Sequence, residues 1–257
     1  MTEKKGEVSP RDNSIEKGNK ADCVLIVSGG MDSITMLYEF KDRIALGISF
    51  DYGSKHNAKE IPLAKLHCQR LGIPHLTIPL HFMAQYFRSS LLKGGEDIPE
   101  GNYDDDNMRS TVVPFRNGIM LSIATGIAES HDLRYVMMAN HSGDHTIYPD
   151  CTPQFVQAMS QATEAGTFPG IKILAPYTRI NKADIARRGK TLNIDYSETW
   201  SCYKGEEFHC GVCGTCRERR EALAEAGIDD TTIYMGCLLY TSPSPRDLST
   251  SRMPSSA

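Results

Sequence analysis

The sequence predicts an α/β fold: a Rossmann-like parallel sheet with helices on both faces, plus a small C-terminal four-cysteine zinc-binding segment. Three observations predict it. Short, wholly apolar runs alternate with stretches of helical spacing through most of the 257 residues. The first apolar run ends in a glycine pair that opens a helix. Beyond Trp200 the strand signal stops and cysteines crowd together.

Residues 1–21 are rich in Lys, Glu, Asn and Ser, carry little apolar surface to bury, and are expected to form a disordered tail. Residues 23–27 read as a strand buried on both faces, as a parallel sheet requires. Ser28-Gly29-Gly30 breaks that strand, and residues 32–40 follow as a helix. Residues 45–50 are a second strand, ending in Asp51-Tyr52-Gly53. Ile61, Ala64, Cys68 and Leu71 give residues 55–71 a helical spacing, with Gly72 where a C-terminal cap belongs. Residues 76–80 are a third strand and residues 81–92 another helix. Residues 93–110 are polar and rich in Gly and Asp, a length typical of lids and binding loops. Helices are then predicted over 115–130, 153–165, 182–192 and 217–226, and strands over 135–139 and 171–175. No internal repeat is found. The domains are read as a catalytic domain over 22–199, a metal-binding segment and terminal helix over 200–235, and a tail over 236–257. That tail has no periodicity and looks like translated sequencing-adapter read-through. It is expected to be disordered and is given no function.

The net charge of −4 argues against a surface built to neutralise a nucleic-acid backbone. The basic runs at Arg187-Arg188 and Arg217 to Arg220 are flanked by acids and read as solvated helix faces. No stretch is apolar for long enough to cross a membrane. With no apolar leader at its start, the chain is expected in the cytoplasm, where its eight cysteines stay reduced or bind metal.

The first chemical signal is Val27-Ser28-Gly29-Gly30-Met31-Asp32-Ser33. A glycine pair between a buried strand and a helix turns the backbone sharply, aiming N–H groups and the helix N-terminus at one spot that suits phosphate oxygens. Ser28 and Ser33 add hydroxyls, and Asp32 could cap the helix or help order magnesium. The bland alternative is a turn with a Ser/Asp cap. No Gly-Lys-Ser/Thr follows, so this is not a Walker A loop. It looks like the SGGxDS signature of PP-loop ATP pyrophosphatases, which split ATP between its α and β phosphates.

The second signal is Cys202, Cys210, Cys213 and Cys216. Two-residue gaps with glycines let successive thiolates converge, and four thiolates close a tetrahedral zinc site with no position for water. Such a site is structural, one per chain. An iron–sulfur cluster is the rival reading, and His209 is a spare ligand. Cys23 and Cys68 read as small buried hydrophobes.

With both signals in place, the chain resembles the 7-cyano-7-deazaguanine synthase (QueC) family over about residues 22–234. The further motifs that carry the resemblance are Asp51-Tyr52-Gly53-Ser54-Lys55-His56, Val113-Pro114-Phe115-Arg116-Asn117, Tyr148-Pro149-Asp150-Cys151, Lys182-Ala183-Asp184-Ile185 and Thr199-Trp200-Ser201-Cys202-Tyr203. The resemblance implies an enzyme that turns 7-carboxy-7-deazaguanine, ammonia and ATP with Mg2+ into 7-cyano-7-deazaguanine, and it implies a homodimer. It gives Asp32, Ser33, Lys182 and Arg116 catalytic roles, and Val27 to Ser33 with Asp51 the nucleotide. The substrate falls to Arg116, Asn117, Tyr148 and Asp150. Lys182 could reach phosphates or be a surface lysine. Asp150 could accept from the base edge or cap the helix that begins at Pro153. Asp51 could assist the metal or nucleotide or simply end a strand. Cys151 is expected beside the pocket, with His141 and Asp144 as weaker candidates. Two rivals stand: another PP-loop AMP-forming enzyme, a tRNA thiolase or an amide ligase, and a non-catalytic zinc-ribbon adaptor.

Overall fold

The computed structural model describes residues 21–103 and 106–235. The tails expected over 1–20 and 236–257, Cys237 included, lie outside the described residues.

Five parallel strands form one sheet: β1 (Cys23–Ile26), β2 (Ile44–Asp51), β3 (His75–Pro79), β4 (Tyr135–Met137) and β5 (Lys172–Leu174). Their order is β3-β2-β1-β4-β5. The order reverses between β1 and β4, and in open α/β sheets a ligand crevice lies beyond the strand ends at that point. Seven helices accompany the strands among the described residues: α1 (Met31–Glu39), α2 (Asn57–Arg70), α3 (Phe82–Tyr86), α4 (Arg116–Ser130), α5 (Pro153–Gly166), α6 (Lys182–Thr191) and α7 (Gly214–Glu225).

Alternation along β1 sends its side chains into two cores. Val24 packs with Ile48, Val136 and the α4 residues Leu121 and Ala124. Leu25 and Val27 pack on the other face with Ile34 of α1, Cys68 of α2 and Ile185 of α6. Cys23 and Cys68 are buried there as the sequence suggests. Gly72 ends α2 at φ +69, the left-handed conformation a glycine cap supplies.

Three expectations need correction. The helix expected over 81–92 is only α3, because Phe87 is extended and the next residues pair with the turn after β2. Lys55 donates its N–H to the Leu91 carbonyl at 2.8 Å, and Lys93 donates to Gly53 at 2.9 Å. Helix α7 starts at Gly214, three residues early, so Cys216 lies in its first turn. The basic run it carries is not all solvated. Arg219 is fully buried, donating to Thr199 Oγ1 at 2.8 Å, Ser201 Oγ at 3.1 Å, Thr232 Oγ1 at 3.0 Å and the Tyr196 carbonyl at 2.5 Å. Arg187 and Arg188 do behave as helix-face cations, paired with Asp184, Glu225 and Glu39.

Candidate active site

The β1–α1 turn is held by its own hydroxyls. Ser33 Oγ accepts from the Ser28 N–H at 3.2 Å and the Gly29 N–H at 3.3 Å, and Ser28 Oγ accepts from the Gly30 N–H at 3.1 Å. The turn's three N–H groups are thus engaged by its own hydroxyls, which fix its shape at the start of the nine-residue helix α1, whose N-terminus is suited to phosphate oxygens. Only glycine serves at position 29: φ is +105 and a Cβ would sit 2.2 Å from the Glu60 carbonyl oxygen of α2. The Gly29 carbonyl in turn accepts from the Trp200 N–H at 3.0 Å, which ties the C-terminal segment to the loop.

The loop opens into a cavity of about 210 Å³ lined by Ser28, Gly30, Asp32, Ser33, Arg116 and Lys182. Val27 and Met31 line it too, whereas Asp51 and Asp150 do not. The helix start carries no side-chain cap, so Asp32 is not the cap that one reading made it. Its Oδ2 lies 3.3 Å from Lys182 Nζ and 3.9 Å from His141 Nε2, and its Oδ1 is buried with no hydrogen-bond partner. Lys182, the first residue of α6, also reaches Glu218 Oε2 of α7 at 2.7 Å. Burial alone would lower the Lys182 ammonium, but Asp32 and Glu218 outweigh it and hold the ammonium charged far above its ordinary range. Asp144 accepts from the Tyr103 hydroxyl at 2.9 Å and stands 3.5 Å from His141 Nε2, so the two weaker candidates join the same cluster. Lys182 is thus no surface lysine. An unpartnered carboxylate oxygen beside a held ammonium suits a divalent cation carried in on a polyphosphate.

Across the cavity the chemistry is aromatic and cationic. Arg116 opens α4, donates to the Tyr52 hydroxyl at 3.2 Å and lies 5.6 Å from the centre of that ring. Among the described residues no carboxylate comes within 4.0 Å of its nitrogens, so a cavity-facing guanidinium keeps its fork free for an anion. His56 stacks on Tyr203 at 5.4 Å. Burial, helped by the Arg116 charge, pushes His56 down to about 3 and keeps it neutral. Glu60, 3.6 Å from it, is pushed up to about 8 by burial despite Arg116. Tyr148 and Tyr203 meet hydroxyl to hydroxyl at 3.2 Å on the same wall.

Two residues expected in the site take other positions. Asp150 Oδ2 accepts from the Asn117 backbone N–H at 2.8 Å, so this carboxylate caps α4, not the helix beginning at Pro153. Thr152 caps that one. Asp51 Oδ1 accepts from Gly53 N–H at 3.2 Å and ends its strand. Asn117 lines the cavity and donates to Cys151 Sγ at 3.1 Å, which puts Cys151 beside the pocket as expected. The sequence reading missed Glu60, Glu218 and Asn140. Asn140 lines the cavity and has a buried Oδ1 with no hydrogen-bond partner, an unused acceptor of the kind a heterocycle N–H could meet.

Cys202, Cys210, Cys213 and Cys216 are all buried, with their Sγ atoms within 4.8 Å of one another. Four thiolates about a tetrahedral zinc stand about 3.8 Å apart, and Cys210 to Cys216 is 3.9 Å. The Cys210 and Cys213 N–H groups point at Cys202 and Cys210 Sγ at 3.3 Å each, as donors to anionic sulfur do. His209 is no ligand: its Nε2 accepts from the Ser201 N–H at 3.1 Å.

Fold and site together define a doubly wound α/β protein with a serine- and glycine-built turn at its switch point and a four-thiolate knot tied to it. The model of the family described as queuosine biosynthesis protein QueC matches residues 22–227, most of the chain. The chain belongs to that family. A 7-cyano-7-deazaguanine synthase from Porphyromonas gingivalis is 63% identical over 215 residues, covering 84% of this chain and 98% of the relative. Namesakes from Desulfotalea psychrophila and Methanoregula boonei are 50% and 46% identical, each over more than 80% of this chain and at least 98% of their own length. A looser likeness, TM-score 0.45 at 12% identity over 86% of this chain and 82% of the other, runs to NMN synthetase from Francisella tularensis.

Proposed function

We propose that this chain is an ATP-dependent 7-cyano-7-deazaguanine synthase, forming the nitrile from 7-carboxy-7-deazaguanine and ammonia. The observation that carries the reading is one cavity holding both a phosphate loop and an unpaired guanidinium, Arg116, in a member of this family.

The chemistry explains the need for both. A carboxylate resists ammonia because it is anionic and its leaving group is oxide. Attack of its oxygen on the α-phosphorus expels pyrophosphate and converts that oxygen into part of a good leaving group, AMP. Ammonia then gives the amide, and a second activation on the amide oxygen lets that oxygen leave too. Bringing a carboxylate to a polyphosphate requires cations between them. Arg116 would meet the carboxylate, and Lys182 with the N–H groups that open α1 would meet the phosphates. Asp32 would hold Mg2+ through its unpartnered oxygen. Tyr148 and Tyr203 would flank the flat heterocycle, with Asn140 on its edge. The four cysteines would hold one structural zinc. A homodimer in the cytoplasm completes the reading and rests on family resemblance.

Product analysis tests it. With carboxylate oxygen-18 label, ammonia and ATP, label is expected in AMP and absent from pyrophosphate, and the amide should be converted to nitrile. ADP with labelled inorganic phosphate would overturn the α-phosphorus mechanism, and an amide that goes no further would leave only an amide ligase.

A further inference from the structure

We propose that Glu60 is the base that removes the protons of the incoming nitrogen at each step from ammonia to nitrile. This rests on the reaction proposed above.

Ammonia arrives with three N–H bonds and the nitrile nitrogen has none. In the first step nitrogen bonds to the carbonyl carbon, the C–O bond to AMP breaks with its electron pair, and one proton leaves. In the second the amide oxygen attacks the α-phosphorus of another ATP, pyrophosphate departs, and nitrogen loses its second proton as the C=N bond forms. In the third the last N–H pair closes the C≡N bond while the C–O bond to AMP breaks. The nitrogen stays attached to one carbon from the first step to the last. A single stationary base beside it can therefore accept all three protons, provided it faces the cavity, is not engaged elsewhere, and can reload near neutral pH.

Among the described residues the cavity is lined by three carboxylates, Asp32, Glu60 and Asp144. Asp32 faces Lys182, and Asp144 accepts from both the Tyr103 hydroxyl and the His141 N–H. Glu60 receives no hydrogen bond from a described residue at either carboxylate oxygen and, unlike Asp32, is not paired with a cation that is charged at neutral pH; His56, held neutral, lies 3.6 Å away. The groups facing it are His56, which precedes the helix that carries Glu60, Tyr52 from the turn after β2 and Arg116 from α4. His56 is held neutral and is too weak a base to compete. The position is also right for an adenylate. The Glu60 backbone carbonyl presses on Gly29, and its Oε1 lies 3.8 Å from where a Cβ on Gly30 would stand. The carboxylate thus borders the phosphate loop while facing the side of the cavity that holds Arg116. Burial gives it a proton affinity close to neutral pH, as a base that must load and unload repeatedly needs.

The test compares wild type, Glu60→Gln and Glu60→Asp in two assays. ATP–pyrophosphate exchange driven by 7-carboxy-7-deazaguanine breaks no N–H bond. Conversion of the amide to the nitrile breaks two and needs no ammonia, so its pH profile is free of ammonium titration. In wild type, amide turnover should climb with pH through about 8 as Glu60 ionises. Glu60→Gln should lose that climb and about 100-fold in rate, with exchange staying within about threefold, and Glu60→Asp should recover part of the rate. Amide turnover at the wild-type level in Glu60→Gln would overturn the assignment. So would an exchange reaction that falls as far as amide turnover, since Glu60 would then serve adenylation or the fold. A wild type without substrate-driven exchange would instead sink the proposed reaction, and this inference with it.

Discussion

His56 and Glu60 sit 3.6 Å apart and pull stability in opposite directions with pH. The folded His56 titrates near 3 against 6.5 when free, so its contribution is whole above about 6.5 and is lost as pH falls toward 3. The folded Glu60 titrates near 8 against 4.5 when free. Its contribution is whole below about 4.5 and is lost as pH rises through 8. Between 4.5 and 6.5 the two offset each other. We therefore expect the urea midpoint of His56→Gln to rise as pH drops from 7.5 to 5, and that of Glu60→Gln to fall over the same interval. Parallel profiles would mean that neither group is titrating as its burial dictates. Residues of this kind are the least legible in a sequence. Ser28, Asp32, Ser33 and Lys182 announce themselves through motifs. Glu60 reads as a solvent-facing residue of an amphipathic helix, and becomes a cavity residue only because Gly29 lets α2 come close. Asp150 caps a helix that starts 34 residues before it, a pairing no local pattern encodes.

At the scale of elements, α7 links the thiolate knot to the phosphate chemistry. Cys216 lies in its first turn, Glu218 reaches Lys182, and Arg219 fastens the helix to the 196–201 stretch. Cys213→Ser should therefore do more than release metal. We expect about one zinc per chain in wild type and close to none in the variant. The expected loss of roughly 3 kcal/mol or more of stability, read by thermal melting, should come with weaker pyrophosphate exchange as Glu218 loses its footing. Iron with acid-labile sulfide in the wild type would remove the zinc assignment. The strands and most helices were legible because burial on both faces writes continuous apolar runs and amphipathic helices write their period. The two misjudged segments failed for tertiary reasons. Residues 91–93 pair with the turn after β2, and α7 begins early because the cysteine knot anchors residues whose own helix propensity is poor.

For the molecule as a whole, every element of the sheet, the cavity and the cysteine knot lies within residues 21–235. A chain cut to those residues should melt at the temperature of the full chain and turn over at the same rate. A clear drop in either would show that a tail packs on the fold. The Trp200 N–H that bonds to the Gly29 carbonyl has a further consequence, one concerning time. The phosphate loop is made early in synthesis, but the segment that fastens it follows about 170 residues later. At the usual pace of translation that is a delay of roughly ten to thirty seconds. For that interval the nascent chain holds a glycine turn without its backstop. The turn is therefore fastened near the end of synthesis, not at its start, and the shape it has in the finished fold is a late event in the life of the chain.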